Sequence, residues 1–192
     1  ANRWGWFPWS GSHMPQIHFG IMSRDLVLVA DCVWDTLTPA QRQHAREAIA
    51  DKCVEPYFRI VLQTPGMGLF HLRSRNQGSN ALAAAVVGSV FVGDAVPDNR
   101  IWFNSLLQTF HWAITHDIGW MGQNLESGLG GYWSVSMQNL YTAAAALWNV
   151  RGIDLRPHPG FDQATFYPII HETTVPAVNH FTDPIDPAAK AL

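Results

Sequence analysis

Residues 79–92, Ser-Asn-Ala-Leu-Ala-Ala-Ala-Val-Val-Gly-Ser-Val-Phe-Val, constrain the fold more than any other segment. Small and apolar residues occupy nearly every position, so a helix formed here has no polar face to turn toward water. The whole chain fits this picture, because only 14% of its 192 residues are charged, against about a quarter in a typical globular domain. We therefore expect a central helix that other helices cover on all sides.

Further segments show helical periodicity, and none shows the alternation of a half-buried strand. The second helix has the clearest start signal: Thr38 is the N-cap, Pro39 takes the first helical position and Gln41 closes a capping box. Pro56 is expected to kink this helix. The six predicted helices cover residues 23–37, 39–63, 79–92, 97–117, 134–150 and 161–180. The predicted fold class is all-α, built from antiparallel helical hairpins.

The connections between these helices alternate in length. Those after the odd helices are short (38, 93–96 and 152–160), whereas 64–78 and 117–133 are long and rich in glycine. Short connections join antiparallel helices, so all odd helices should point the same way. Their N-terminal loops then gather on one rim, where the helix dipoles add partial positive charge. This rim is predicted to suit an anionic ligand.

Charge and cysteine content exclude several classes of protein. The formal net charge is −3, so no basic field attracts nucleic acid or an anionic membrane. The longest apolar stretch, 81–93, is shorter than the roughly 20 residues that cross a bilayer. Cys32 and Cys53 should lie on adjacent antiparallel helices about 13 Å apart, beyond disulfide reach. We predict two buried free thiols and neither a nucleic-acid nor a membrane partner.

The segment that enters the third helix carries polar groups suited to a carboxylate. Arg75, Asn76 and Gln77 stand just before the helix, and Asn80 follows one turn later. Amide side chains at a helix N-terminus can hydrogen-bond a carboxylate, and an arginine can clamp it. The simpler reading is that Asn76 only caps the helix and that the arginine is solvated.

The loop before the fifth helix presents Glu126, Tyr132 and Trp133 among several glycines. It is not a nucleotide-binding loop, because no Lys-Ser or Lys-Thr pair follows and no strand precedes it. Either the loop presents Glu126 and Tyr132 into a cleft, or it is a plain connection with Ser134 as the helix cap.

Aromatic residues and histidines also mark the start of the chain, where Trp9 and His18 lie close together in sequence. Aromatic rings here either fill the core or form flat platforms for sugar rings. The spacing of His13 and His18 matches no standard zinc pattern, and carboxylates are absent nearby, so no metal is predicted.

Taken in order, these motifs resemble the heparinase II/III-like and alginate lyase group of polysaccharide lyases. The resemblance covers about residues 20–170. It rests on 26–42, on Asn76-Gln77 before a small apolar helix, on Glu126-Ser127-Gly128 with Tyr132, and on Gly152-Ile153-Asp154-Leu155. It implies that residues 1–192 form a single helical domain, an incomplete α/α toroid within a longer lyase that also has a β-sandwich domain. It further implies a periplasmic or secreted protein.

The resemblance also implies β-elimination on a polysaccharide that contains uronic acid. Gln77, at a position often held by histidine, and Asn76 would neutralise the substrate carboxylate. Tyr132, which follows Gln77 by 55 positions, would serve as acid and base. No metal or organic cofactor is required by this scheme. The residues expected to bind substrate are Asn80, Glu126, Arg75, Trp133, His18 and Trp9.

Two other functions fit the same sequence. A glycoside hydrolase on a similar toroid needs two carboxylates, for which Glu126 and Asp117 are the candidates. A non-catalytic carbohydrate-binding helical domain would use only the aromatic platforms. Product absorbance separates these possibilities, because only a lyase leaves an unsaturated uronate that absorbs in the ultraviolet.

Overall fold

The computed structural model describes residues 17–59, 76–116, 118 and 132–164, with the backbone alone for residues 17–19, 76–77 and 132–133. The predicted all-α class is confirmed, and the described residues contain no strand beyond one isolated bridge residue, Ile118. Residues 159–164 form a further helical turn. The longer helices are α1 (Ile17–Cys32), α2 (Pro39–Ile49), α3 (Asn76–Val92), α4 (Asn99–His116) and α5 (Tyr132–Arg151).

Helix α3 forms the centre of the fold. Every residue from 78 to 90 is buried, and α1, α2, α4 and α5 all pack against it. The prediction of a helix covered on all sides is confirmed. By length and composition the stretch Gly78–Ala95 could cross a membrane, but 78% of it is buried inside the fold, as expected for the core helix of a helical array.

Two glycines allow the neighbouring helices to approach α3 closely. A Cβ atom at Gly20 of α1 would lie 2.5 Å from the backbone carbonyl carbon of Asn80. A Cβ atom at Gly88 of α3 would lie 3.1 Å from Cγ2 of Val54. At Gly20 the approach is to backbone, which cannot move aside as a side chain can, so α1 can pack this closely only without a side chain there.

Helix α2 begins as its sequence predicts. The hydroxyl of Thr38 accepts a hydrogen bond from the backbone N–H of Gln41 at 3.3 Å, and the Gln41 side chain accepts one from the Thr38 N–H at 2.9 Å. The irregularity expected at Pro56 is a π-helical segment, Ala50–Val54, which leads into the turn Glu55–Tyr57. Proline lacks the N–H that a regular helix needs, and a wider turn accommodates its ring.

Helices α1, α3 and α5 run in the same direction. At one end Gly20 lies against Asn80, and Asn139 of α5 hydrogen-bonds to Asn80. At the other end the rings of Trp34, just after α1, and Phe91 of α3 are 5.1 Å apart. Arg151 is the last residue of α5, and its guanidinium lies beside Gly93. The prediction that the odd helices are parallel is therefore confirmed, and their N-termini lie at one end, the N-terminal rim.

Several predicted boundaries were wrong. Helix α1 ends at Cys32 rather than at residue 37, because a 3-10 turn, Trp34–Thr36, follows and the Arg42 guanidinium binds the Trp34 carbonyl at 3.0 Å. Helices α3 and α5 begin two or three residues earlier than predicted. Most of the predicted helix 161–180 lies outside the described residues.

Cys53 is buried as predicted, but Cys32 is exposed, because it ends a helix at the edge of the array.

The two helices that flank α3 expose apolar side chains. Among the described residues, nearly all exposed large hydrophobic side chains lie on α1, directly after it, or on α5. On α1 they are Met22, Leu26, Leu28 and Val29, followed by Val33; on α5 they are Tyr141, Trp148 and Val150. Met22, Leu26, Val29 and Val33 follow the spacing of a single helix face.

Candidate functional site

The residues predicted to form the site fall into three groups: those outside the described residues, those in the first helix turns, and Asn80. Trp9, Arg75 and Glu126 lie outside the described residues. His18 is the second residue of α1, Asn76 and Gln77 are the first two of α3, and Tyr132 and Trp133 are the first two of α5. Because these helices are parallel, all five residues belong to helix turns at the N-terminal rim. The N-termini of the three helices contribute partial positive charge there.

Asn80 has a different position from the one expected. It was predicted to contact substrate, but only 1% of its surface is exposed, since Gly20 brings α1 directly over it. Its side-chain carbonyl oxygen accepts a hydrogen bond from the Asn139 amide. The expected role is therefore corrected: Asn80 lies beneath the rim and supports it.

A chain of polar groups, with Asn80 and Asn139 buried and Arg24 part-buried, connects the three parallel helices below the rim. The Arg24 guanidinium on α1 donates to the Asn139 side-chain oxygen on α5, and Asn139 in turn donates to Asn80 on α3. Asn139 also donates to the Val135 carbonyl at 2.6 Å. We call Arg24, Asn139 and Asn80 the polar relay. Such a network fixes the relative position of the helices, because every buried member needs its partner.

Arg24 brings a positive charge into this region. Its side chain is only 15% exposed, and its Nη2 atom lies 2.9 Å from the exposed carboxylate of Asp25. One turn closer to the rim than Asn139, the Ser136 hydroxyl is buried and has no hydrogen-bond partner among the described residues. Sequence reasoning found none of these three residues, because Arg24 and Asn139 are 115 positions apart and neither belongs to a local motif.

A second polar cluster lies where α4 ends. Gly160 N–H donates to His158 Nδ1 at 3.1 Å, so the proton of the neutral ring is on Nε2, which lies 3.2 Å from the Thr115 hydroxyl. The Thr115 hydroxyl donates to the His111 carbonyl at 2.6 Å. Burial, with the nearby His111, lowers the pKa of His158 below its ordinary value. This cluster holds the segment after α5 against α4 in the neutral state.

The buried thiol of Cys53 is not a candidate nucleophile. Burial raises the pKa of Cys53 to about 12, so the group remains a protonated thiol rather than a nucleophilic thiolate. Its Sγ atom lies 3.5 Å from the Ala84 carbonyl. The described residues contain no group of three or more potential metal ligands.

Comparison with known proteins gives no match to a protein-family model, to a curated protein or to a solved structure. The residues at the N-terminal rim and the polar relay beneath it are therefore the features of this chain that bear on its function.

Proposed function

We propose that this chain is the helical portion of a lyase that cleaves a uronic-acid-containing polysaccharide by β-elimination. The observation that carries the proposal is the parallel arrangement of α1, α3 and α5. It brings the first turns with Gln77 and Tyr132 to the same end of the fold, as one active site requires. The sequence resemblance to the heparinase II/III-like and alginate lyase group supplies the reaction.

The chemistry of β-elimination suits these residue types. The reaction removes the proton next to the carboxylate, which is a very weak acid unless the developing negative charge is stabilised. Asn76 and Gln77, as neutral amides at the start of α3, donate hydrogen bonds to the carboxylate as that charge grows. Tyr132 takes the proton when its phenol is ionised, and protonates the leaving glycosidic oxygen when it is neutral.

The surroundings of the rim favour an anionic substrate. Three helix N-termini contribute partial positive charge, and below them the Arg24 guanidinium forms an ion pair with the Asp25 carboxylate at 2.9 Å. Trp9, His18, Arg75, Glu126 and Trp133 are proposed to contact the bound polysaccharide.

The apolar edges of the array support a larger assembly. Met22, Leu26, Val29 and Val33 leave one face of α1 exposed, and an exposed apolar face of this kind indicates an interaction surface. We propose that the remaining hairpins of the same α/α toroid cover it, and that a β-sandwich domain of the same protein completes the cleft.

An absorbance assay tests the proposal. The full-length protein that contains this chain is incubated with a panel of uronate polymers, including alginate, heparan sulfate, chondroitin and hyaluronan. We expect ultraviolet absorbance to rise with at least one polymer as unsaturated ends form. Depolymerisation without this absorbance would indicate a hydrolase, and binding without depolymerisation would indicate a carbohydrate-binding domain.

A further inference from the structure

A cavity lies at the end of the array opposite the N-terminal rim. It is open to solvent on one side and holds about 510 Å³ between the C-terminal halves of α1, α3 and α5, within the roughly 300–1,000 Å³ of small-molecule sites. Its apolar lining includes Val27 of α1, Val87 and Val90 of α3, and Ala146 of α5. None of the residues assigned to the elimination chemistry lines it, so the cavity is separate from the proposed active site.

One wall of the cavity combines two aromatic rings with a cation. The ring of Trp34 lies edge-on to Phe91 with centroids 5.1 Å apart, and the Arg46 guanidinium carbon lies 4.7 Å from the Trp34 centroid. The Nε atom of Arg46 is buried, and no hydrogen-bond partner for it exists in the described part of the chain. Arg46 therefore contributes a part-buried guanidinium to the lining, beside the two rings.

A second guanidinium lines the same cavity. Arg151 lies 5.3 Å from the Phe103 ring centroid, and within the described ranges no carboxylate lies within 4.0 Å of Arg46 or Arg151. Asp31 and Asp94 also line the cavity but are exposed, so water weakens their field. Arg151 is exposed as well, so the part-buried Arg46 guanidinium is the least exposed charged group of the lining.

The helix C-termini at this end do not turn the cavity into a cation site. The side-chain amide of Asn99 donates to the carbonyls of Ser89 and Gly93 at 2.8 and 2.9 Å. Gly152 N–H donates to the Trp148 carbonyl at 3.0 Å. These terminal carbonyls of α3 and α5 already have donors, so they offer less to a bound cation.

We propose that this cavity binds a small organic carboxylate with a planar apolar body. The Arg46 guanidinium binds the carboxylate, and Arg151, which lines the same cavity, adds attraction. The apolar body packs on Trp34, Phe91 and the valines of α3. This proposal does not depend on the lyase activity, because it concerns the other end of the helices.

Titration calorimetry of the full chain with 1-naphthoate tests the proposal, using 1-naphthalenemethanol and 1-naphthylmethylamine as neutral and cationic probes with a similar body. We expect naphthoate to bind at least about tenfold more tightly than either, because a hydrogen bond to a charged group is lost in both. Equal affinity for the three probes, or no naphthoate binding, would overturn the proposal.

Substitutions locate the binding. Arg46→Gln should weaken naphthoate binding about 10- to 100-fold. Arg59→Gln serves as the control, because Arg59 lies on the same helical path, pairs with Glu55 and does not line the cavity. Unchanged affinity in folded Arg46→Gln overturns the proposal. If Arg46→Gln does not fold, the Arg151→Gln variant tests the proposal instead, because Arg151 is exposed. A naphthoate affinity about threefold weaker than that of the wild-type chain supports the site. An unchanged affinity rejects it.

Discussion

The side-chain amide of Asn139 on α5 donates to the side-chain oxygen of Asn80 on α3. This bond connects the two helices whose first turns contain Tyr132 and Gln77. Arg24 extends the connection to α1 by donating to Asn139. The polar relay thus fixes the positions of the three first turns relative to one another. It thereby also fixes the relative positions of the proposed catalytic groups that these turns carry.

Substitution of Asn139 by leucine tests whether the relay stabilises the fold. Asn139→Leu keeps a similar volume but leaves the Arg24 donor and the Asn80 oxygen without this partner. We expect the free energy of unfolding to fall by on the order of 3 kcal/mol in urea denaturation. Gln138→Leu, at the neighbouring exposed position, should change it by less than about 0.5 kcal/mol.

A double-mutant cycle sharpens the same prediction. Arg24→Met and Asn139→Leu remove the same bond, so the double variant should lose at least about 1 kcal/mol less than the sum of the single losses. Additive losses would show that the two side chains do not interact in solution.

Much of the fold was predictable because it depends on residue type and connection length. The composition of 79–92 indicated burial on all sides, and the alternating connections indicated three parallel helices. The helix starts with Asn76, Gln77 and Tyr132 were located to within a few residues. These signals are local, so the sequence shows them directly.

The surroundings of Asn80 were not predictable in the same way. Its position one turn into α3 indicated a place near the rim, but not which helix covers it. The absence of a side chain at Gly20 lets α1 close over Asn80, and Arg24 and Asn139 meet only through the tertiary fold. Contacts between residues this far apart follow from the packing of whole helices, which residue spacing does not reveal.

Protonation of His158 should weaken the fold. In the neutral ring, Nδ1 accepts from Gly160 N–H, and protonation would place a second donor against that N–H. Because the pKa of His158 is lowered in the folded chain, the unfolded chain binds more protons between the two pKa values. Stability should therefore fall as pH drops through the unfolded value near 6.5, and level off below the folded value.

His158→Asn provides the matched control for this pH effect. An asparagine oxygen can accept the same N–H two residues later in an Asx turn, but it does not titrate. Urea midpoints between about pH 7.5 and 5.5 should fall more in the wild-type chain than in this variant. Identical slopes would mean that His158 does not couple protonation to folding.

Gln77 is predicted to act mainly on turnover. Its hydrogen bond strengthens as negative charge develops on the carboxylate, so Gln77→Ala should lower kcat about 100- to 1,000-fold, with a smaller effect on KM. Gln77→His should retain part of the activity, as the resemblance implies for this position. A Gln77→Ala enzyme with normal kcat would remove Gln77 from the mechanism.

The most direct test of the lyase proposal is the Tyr132→Phe variant of the full-length protein. This change keeps the aromatic ring and removes only the oxygen proposed to transfer protons. Unsaturated product is measured by ultraviolet absorbance for wild type and variant, with melting temperatures recorded alongside. The proposal predicts a nearly unchanged melting temperature and a loss of activity of about 100- to 10,000-fold. A variant that retains more than about a tenth of the wild-type activity would contradict the assignment of Tyr132 as acid or base.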